Sequence, residues 1–384
     1  MKLFITRFFQ NNLIQSQAVQ NKQSYLGSLN FKGLEQDTFE KTISSSKARG
    51  GSHTKAGDCL KELDNVTCPY SGVKMISYAK MEKIEKKLRY TKSLPESLEV
   101  LKPYKPCMQK LEKQIYMMLK DYAVLNPRST ANQCLQSHYP EALAKLKIEE
   151  LKVLDNIDKI SNKVEPKTAL QIRTITTNAR KRIIDDNTDQ IFKRKDILSE
   201  LDNLMYNYKN PELAAEIREV ANKLPKSSTN INAFIVKYAK RDRQEILSRL
   251  LRPSTASIEH ITPKSINPDH TLSNFMLASR DWNSDRGSTS LPEYIKKHQN
   301  IPKYCQKYTN DIINSIHKKK LVETDWYPYM LKEKLYNESS GIINVSLSRY
   351  KLSEAQAFKN APKELVEKYN LLKEENKKLD LIEL

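Results

Sequence analysis

Four residues of chemically useful type follow one another in an ordered run, Glu259-His260, then Asn274, then Asn283. An imidazole with an ordinary pKa of about 6.5 can take a proton from water near neutrality. A carboxylate and an amide carbonyl are hard oxygen donors that suit Mg²⁺ better than zinc. The surrounding sequence reads Ser257-Ile258-Glu259-His260-Ile261-Thr262-Pro263, a polar loop, then Leu272-Ser273-Asn274-Phe275-Met276-Leu277. Ala278 through Gly287 and a Pro292-initiated helix follow. Ile258 and Ile261 flank the Glu-His pair as in a short strand that Pro263 ends, and Phe275 to Leu277 make a second. The predicted order is strand, loop, strand, helix. Because neighbours on a strand point to opposite faces, a bend or bulge is needed for Glu259 and His260 to serve one site.

This run resembles the HNH, or ββα-metal, endonuclease motif. The elements that carry the resemblance are the acidic-His pair with hydrophobic-x-Pro after it, a middle Asn before the second strand, and a final Asn on the helix. Ten residues separate Pro263 from Asn274 and eight separate Asn274 from Asn283. The stretch Arg280-Asp281-Trp282-Asn283-Ser284-Asp285-Arg286-Gly287 looks like the helix entry of the family. The version with Asn last is similar to the HNH domain of guide-RNA-directed CRISPR nucleases. The likeness covers about 40 of 384 residues, and its first acid is Glu where Asp is commoner. It implies that His260 is the general base, that Glu259 and Asn283 hold Mg²⁺ or Mn²⁺, and that Asn274 orients His260 through a backbone hydrogen bond. Arg286 would contact a phosphate oxygen. Many HNH proteins also carry a zinc knuckle of two Cys-x-x-Cys pairs. Cys68-Pro69-Tyr70-Ser71-Gly72 looks like the first pair with its second Cys replaced, and Ser279-Arg280-Asp281-Trp282 like the second pair with both gone. A structural zinc is therefore not expected. The relation implies a hairpin over residues 66–76 packed on the nuclease site and a helical insertion of about 180 residues after it; an unrelated turn at Pro69 and Gly72 fits the sequence as well.

The elements that must position this segment are mainly helical. Lys, Leu, Glu and Ile are abundant and only 8 glycines occur in 384 residues. Residues 1–75 form a loop-rich N-terminal region holding six glycines and the polar, basic run Ser44 to His53. Residues 76–230 form a helical, basic region, with Met81, Ile84 and Leu88, then Leu146, Val153, Ile157 and Ile160, at helical spacing. Residues 231–300 comprise the HNH module with a leading basic helix over roughly 231–251, capped from Ser227-Ser228-Thr229-Asn230. Residues 301–384 form a C-terminal helical region, its last helix docked on the body despite Leu365, Leu372 and Leu379 at sevenfold spacing. The expected fold is mainly α with a small α+β (ββα-metal) nuclease module embedded between helical regions.

Lys and Arg total 65 against 46 Asp and Glu, a net charge of +19, which suits a polyanionic partner. Besides Arg286, the residues read as binding nucleic acid are Lys237, Lys240, Arg241, Arg243, Arg249 and Arg252. A second cluster runs from Arg173 through Arg180, Lys181, Arg182, Lys193, Arg194 and Lys195, and Lys318-Lys319-Lys320 adds a third. His270 falls in the loop between the strands and is read as solvent-exposed. The other histidines have no ligand partners at telling spacing. Five widely spaced cysteines point to a reducing compartment. No stretch approaches the roughly 20 apolar residues of a membrane helix, and a cytoplasmic location is expected.

Phosphate-loop, dinucleotide-binding and nucleophile-elbow motifs are absent from the sequence. The expectation is a metal-dependent endonuclease acting on DNA, in anti-phage defence or a mobile element. The alternatives are a nuclease subunit that needs a protein partner for targeting or activation, and a non-catalytic nucleic-acid-binding protein.

Overall fold

The computed structural model describes residues 60, 63, 65–184, 194–206, 210–266, 269–319 and 324–382. The described residues all lie within Lys55–Leu384. The N-terminal basic run, five of the glycines, Cys59, Lys193 and Lys320 lie outside them, as do the side chains of Arg194, Lys195 and Lys319.

The architecture is mainly helical with one small antiparallel sheet. Residues 66–75 form a hairpin, in which the Met75 N–H donates to the Val66 carbonyl at 2.9 Å and the Cys68 N–H to Val73 at 2.8 Å. Ile76 then pairs with the chain 178 residues on: its N–H donates to Ser254 and its carbonyl accepts from Ala256, both at 2.9 Å. Residues 77–253 therefore leave and re-enter the module at one place.

That excursion is built of α1 (Tyr78–Tyr90), α2 (Leu94–Leu101), α3 (Lys110–Leu125), α4 (Ala131–Ser161), α5 (Pro166–Ile184), α6 (Arg194–Tyr206), α7 (Pro211–Ala221), α8 (Ile231–Tyr238) and α9 (Arg243–Arg249). Met81, Ile84 and Leu88 are the buried stripe of α1. A capping box of Thr130 and Gln133 starts α4, whose 31 residues span ~46 Å. Cys134, Leu135, Ala142 and Leu146 of α4 join one core with α1 to α3, α8 and α9. Further along α4, Leu154, Ile157 and Ile160 join another with α5 to α7. One long helix thus serves two cores. The single helix expected over 231–251 is two helices. The Asp242 carboxylate accepts the Glu245 N–H at 2.9 Å, and an N-cap in mid-run must start a new helix.

The chain then forms β1 (Ala256–His260), β2 (Phe275–Ser279), α10 (Arg280–Arg286), α11 (Leu291–Lys297), α12 (Ile301–Lys319), α13 (Tyr327–Glu338), α14 (Glu354–Ala357) and α15 (Lys363–Ile382). Helix α15 docks on α13, with Leu372 in the core. Asn376 is buried there because its amide donates to the Glu333 carbonyl at 3.0 Å and to the Glu333 carboxylate at 2.9 Å.

The hairpin turn is closed by Gly72 at φ +68°, where a Cβ would lie 2.5 Å from the Tyr304 ring of α12. Gly72→Ala is expected to lower stability by about 1–3 kcal/mol from backbone strain alone, with the ring clash adding to it. Urea denaturation measures the change, and a loss below about 0.5 kcal/mol would show that the hairpin is not seated as described.

Candidate functional site

The sheet is two strands in uninterrupted antiparallel register, with Ala256 opposite Ser279, Ile258 opposite Leu277, and His260 opposite Phe275. Two strands are too few to be stable alone, so their outward backbone groups need partners from elsewhere. On β1 the Ala256 N–H donates to Ile76 at 2.9 Å. The Ile258 carbonyl accepts from the Asn283 amide at 3.0 Å, and the His260 carbonyl from Arg286 Nη1 at 2.9 Å. On β2 the Leu277 N–H donates to the Tyr308 hydroxyl at 2.9 Å, and the Tyr327 hydroxyl donates to the Phe275 carbonyl at 2.8 Å. The Ser279 N–H and hydroxyl both donate to the Cys68 sulfur, at 3.4 and 3.3 Å. Cys68 and Ser279, which the zinc-knuckle likeness brings into register, meet directly as thiol and hydroxyl.

Arg286 is the centre of this arrangement. Its side chain is fully buried. Nη1 forms an ion pair with the Glu259 carboxylate and donates to the Tyr70 hydroxyl at 3.0 Å, while Nη2 donates to the Ile261 carbonyl at 2.8 Å. Tyr70 in turn donates to Glu259 at 3.1 Å. Burial works against the charge on Arg286, but its Tyr70 and Glu259 partners hold its pKa above the usual value. Burial, with the Glu259 charge beside it, raises the Tyr70 phenol well above its ordinary range. Asn283, one turn earlier on α10, also donates to the Ser257 hydroxyl at 3.0 Å.

These contacts correct several expectations. The register contains no bulge, so Glu259 and His260 diverge: Glu259 turns to Arg286 and Tyr70, and His260 turns to His270 and Phe275. Arg286 is 1% exposed and cannot reach a phosphate. Asn274 is fully buried and ties down the loop between the strands, as expected of a residue that holds that loop. Its Oδ1 accepts the Thr262 N–H at 2.8 Å, and its Nδ2 donates to the carbonyls of Thr262 at 3.2 Å and Asp269 at 3.0 Å. His270 is half-buried rather than exposed, with Nδ1 3.2 Å from His260 Nε2.

The basic set is also divided. Lys237, Lys240 and Arg241 are exposed, with Lys237 over the Tyr238 ring, and Arg243 is half-buried. Arg249 is turned inward, donating at 2.9 Å to buried Glu112, and Arg252 pairs with Glu85 at 3.2 Å. In the second cluster, Arg180 is taken up by Asp155 and Asp158.

No family model, curated protein or solved structure matches this chain.

The Glu259–Asn283 pair, as placed, does not fit a divalent cation. Glu259 already neutralises a buried guanidinium, and taking it away would leave that charge uncompensated at about 3–5 kcal/mol. Among the described residues no group of three or more His, Cys, Asp or Glu converges as a metal site. His260 is half-buried at the end of β1, with its strand fixed by Arg286 and the loop after it by Asn274.

Tyr308, Tyr327 and, through its bonds to Ser273 and Thr271, Lys368 reach the sheet and its loop from distant segments and carry no local signal in the sequence; Tyr70 lies in the stretch the knuckle likeness marks, but its bonds to Arg286 and Glu259 were not foreseen. Removing the amide in Asn274→Ala leaves the buried Thr262 N–H unpaired. An orphaned donor costs about 1–3 kcal/mol, which equilibrium unfolding in urea would register. An unchanged midpoint would mean that the loop does not depend on Asn274.

Proposed function

We propose that the chain is a ββα endonuclease that hydrolyses phosphodiester bonds in DNA, with His260 as the general base. The observation that carries this reading is the placement of His260. It sits half-exposed at the end of a strand whose Glu259 pairs with Arg286 and whose outward Ile258 and His260 carbonyls are held by Asn283 and Arg286, so one imidazole is presented from a rigid frame. The net charge of +19 supports a polyanionic substrate. In the reaction, His260 takes a proton from a water whose oxygen attacks phosphorus. The phosphorus–oxygen bond to the leaving sugar breaks, and that oxygen is protonated from solvent. Base catalysis of this kind contributes about 10²–10⁴-fold. No step is assigned to a bound cation.

A second reading, a nuclease subunit activated by a protein partner or by its substrate, is favoured by the Glu259–Arg286 pair. An arrangement in which Glu259 ligated Mg²⁺ would require that pair to open. Defence against phage and mobile-element cutting are the settings that fit an endonuclease of this kind. No helix among the described residues is long and apolar enough to cross a membrane.

Incubation of the full chain with supercoiled plasmid, in Mg²⁺, Mn²⁺ or EDTA and beside His260→Ala, tests the reading. Nicking or linearisation reduced at least a hundredfold in His260→Ala is the expected result, by the contribution of a general base. Equal cleavage by the variant would remove His260 from the chemistry. Salt-sensitive binding with no cleavage would favour the partner-dependent subunit or the non-catalytic binder.

A further inference from the structure

The loop from Ile261 to Asn274 holds a second imidazole against the first, and the C-terminal helix holds that loop. Lys368 of α15 makes an ion pair with Asp269 and donates to Ser273 at 2.7 Å and Thr271 at 3.2 Å. Asp269 also accepts the Thr271 N–H at 2.9 Å and its hydroxyl at 2.7 Å. Its carbonyl is the one bound by buried Asn274. From α13, Glu338 accepts the Thr262 hydroxyl. Although burial pushes the Asp269 carboxyl upward, Lys368 and Thr271 hold it below the usual range, so the clamp on this loop is charged.

His270 lies between Asp269 and Thr271 in this clamp, and so has little freedom to withdraw. Its Nδ1 is 3.2 Å from His260 Nε2, with the rings nearly perpendicular at 87°. The Phe275 ring meets His260 edge-on at 4.8 Å, so His260 is held from two directions. Two imidazole nitrogens at this distance share one proton: one ring donates and the other accepts. If His260 accepted at Nε2, its own hydrogen would sit on Nδ1 and no lone pair would remain for water. If it donates from Nε2, the basic lone pair is the one on Nδ1.

We propose that His270 is a positioning residue that accepts the Nε2–H of His260, fixing the tautomer in which His260 Nδ1 faces the substrate water. The direction of the bond rests on His260 being the base. The role is that of a carboxylate behind a catalytic histidine, which selects the ring's tautomer and orientation through the nitrogen not used in catalysis. Here a clamped imidazole fills it, and the C-terminal helix contributes to the site through Lys368.

Nitrogen-15 NMR of the full chain with labelled histidine tests this at about pH 8, above the ordinary imidazole range. His260 is assigned by comparison with His260→Gln. His260 is expected to carry its proton on Nε2 in the wild type. His270→Asn should retain that pattern, because the Asn side-chain oxygen can accept where Nδ1 stood, and His270→Ala should let the two tautomers interchange. A His260 protonated on Nδ1, or a pattern unchanged in His270→Ala, overturns the proposal. If His270→Ala does not fold, the wild-type and His270→Asn spectra decide it. In plasmid cleavage, His270→Ala should lose on the order of tenfold to a hundredfold in kcat with KM nearly unchanged, and His270→Asn should restore most of it. A wild type with the expected tautomer and no cleavage would sink the self-sufficient nuclease and leave the His270–His260 bond standing, whereas cleavage with the wrong tautomer would sink the His270 role alone.

Discussion

A sheet of two strands has two edges and no interior, and that constraint organises the module. Alternate residues of β1 and β2 present backbone groups outward, and on each of these residues one such group is taken up from elsewhere in the chain. Ile76, Asn283 and Arg286 serve β1, while Tyr308, Tyr327 and Cys68 serve β2. Those partners come from the hairpin and the residue after it, from α10, and from α12 and α13. The module is therefore not a detachable motif of 40 residues. Its stability is shared with segments 200 positions away in the chain, and a helical excursion can be inserted after Ile76 because the two ends of the excursion are tied to each other.

Arg286 carries the largest share of this arrangement. A buried guanidinium needs both a counter-charge and acceptors for its N–H groups. Glu259 provides the first, and the Tyr70 hydroxyl and the His260 and Ile261 carbonyls provide the second. The sequence places an acid beside His260, which invites a ligand role for it. The structure gives that acid the task of neutralising an arginine, which in turn holds the backbone of the histidine itself. Glu259 thus acts on His260 through Arg286 and the strand.

The parts legible in the sequence were those with local signals. The strand–loop–strand–helix order followed from Ile258, Ile261, Pro263 and the Phe275-Met276-Leu277 run, and the buried stripe of α1 followed from the spacing of Met81, Ile84 and Leu88. What was not legible depends on side-chain direction and long-range pairing. Alternation along β1 showed that Glu259 and His260 must diverge unless the strand is bent, but only the register decided that it is straight. Arg286 looked like a phosphate ligand because its type and place on the helix match one, while its burial depends on Tyr70, 216 residues earlier. Asp242 was visible as an acidic residue within a basic run. Its capping of α9 splits the expected helix and turns Arg249 toward Glu112.

Glu259 and Arg286 act as one buried pair on which strand β1 depends. A double-mutant cycle in urea with Glu259→Gln, Arg286→Met and both together measures this directly. The account predicts that each single change is strongly destabilising and that the double variant loses less than the sum, with a coupling of about 1–3 kcal/mol. Additive losses, within about 0.5 kcal/mol, would contradict it and would leave Glu259 open to a role as a cation ligand.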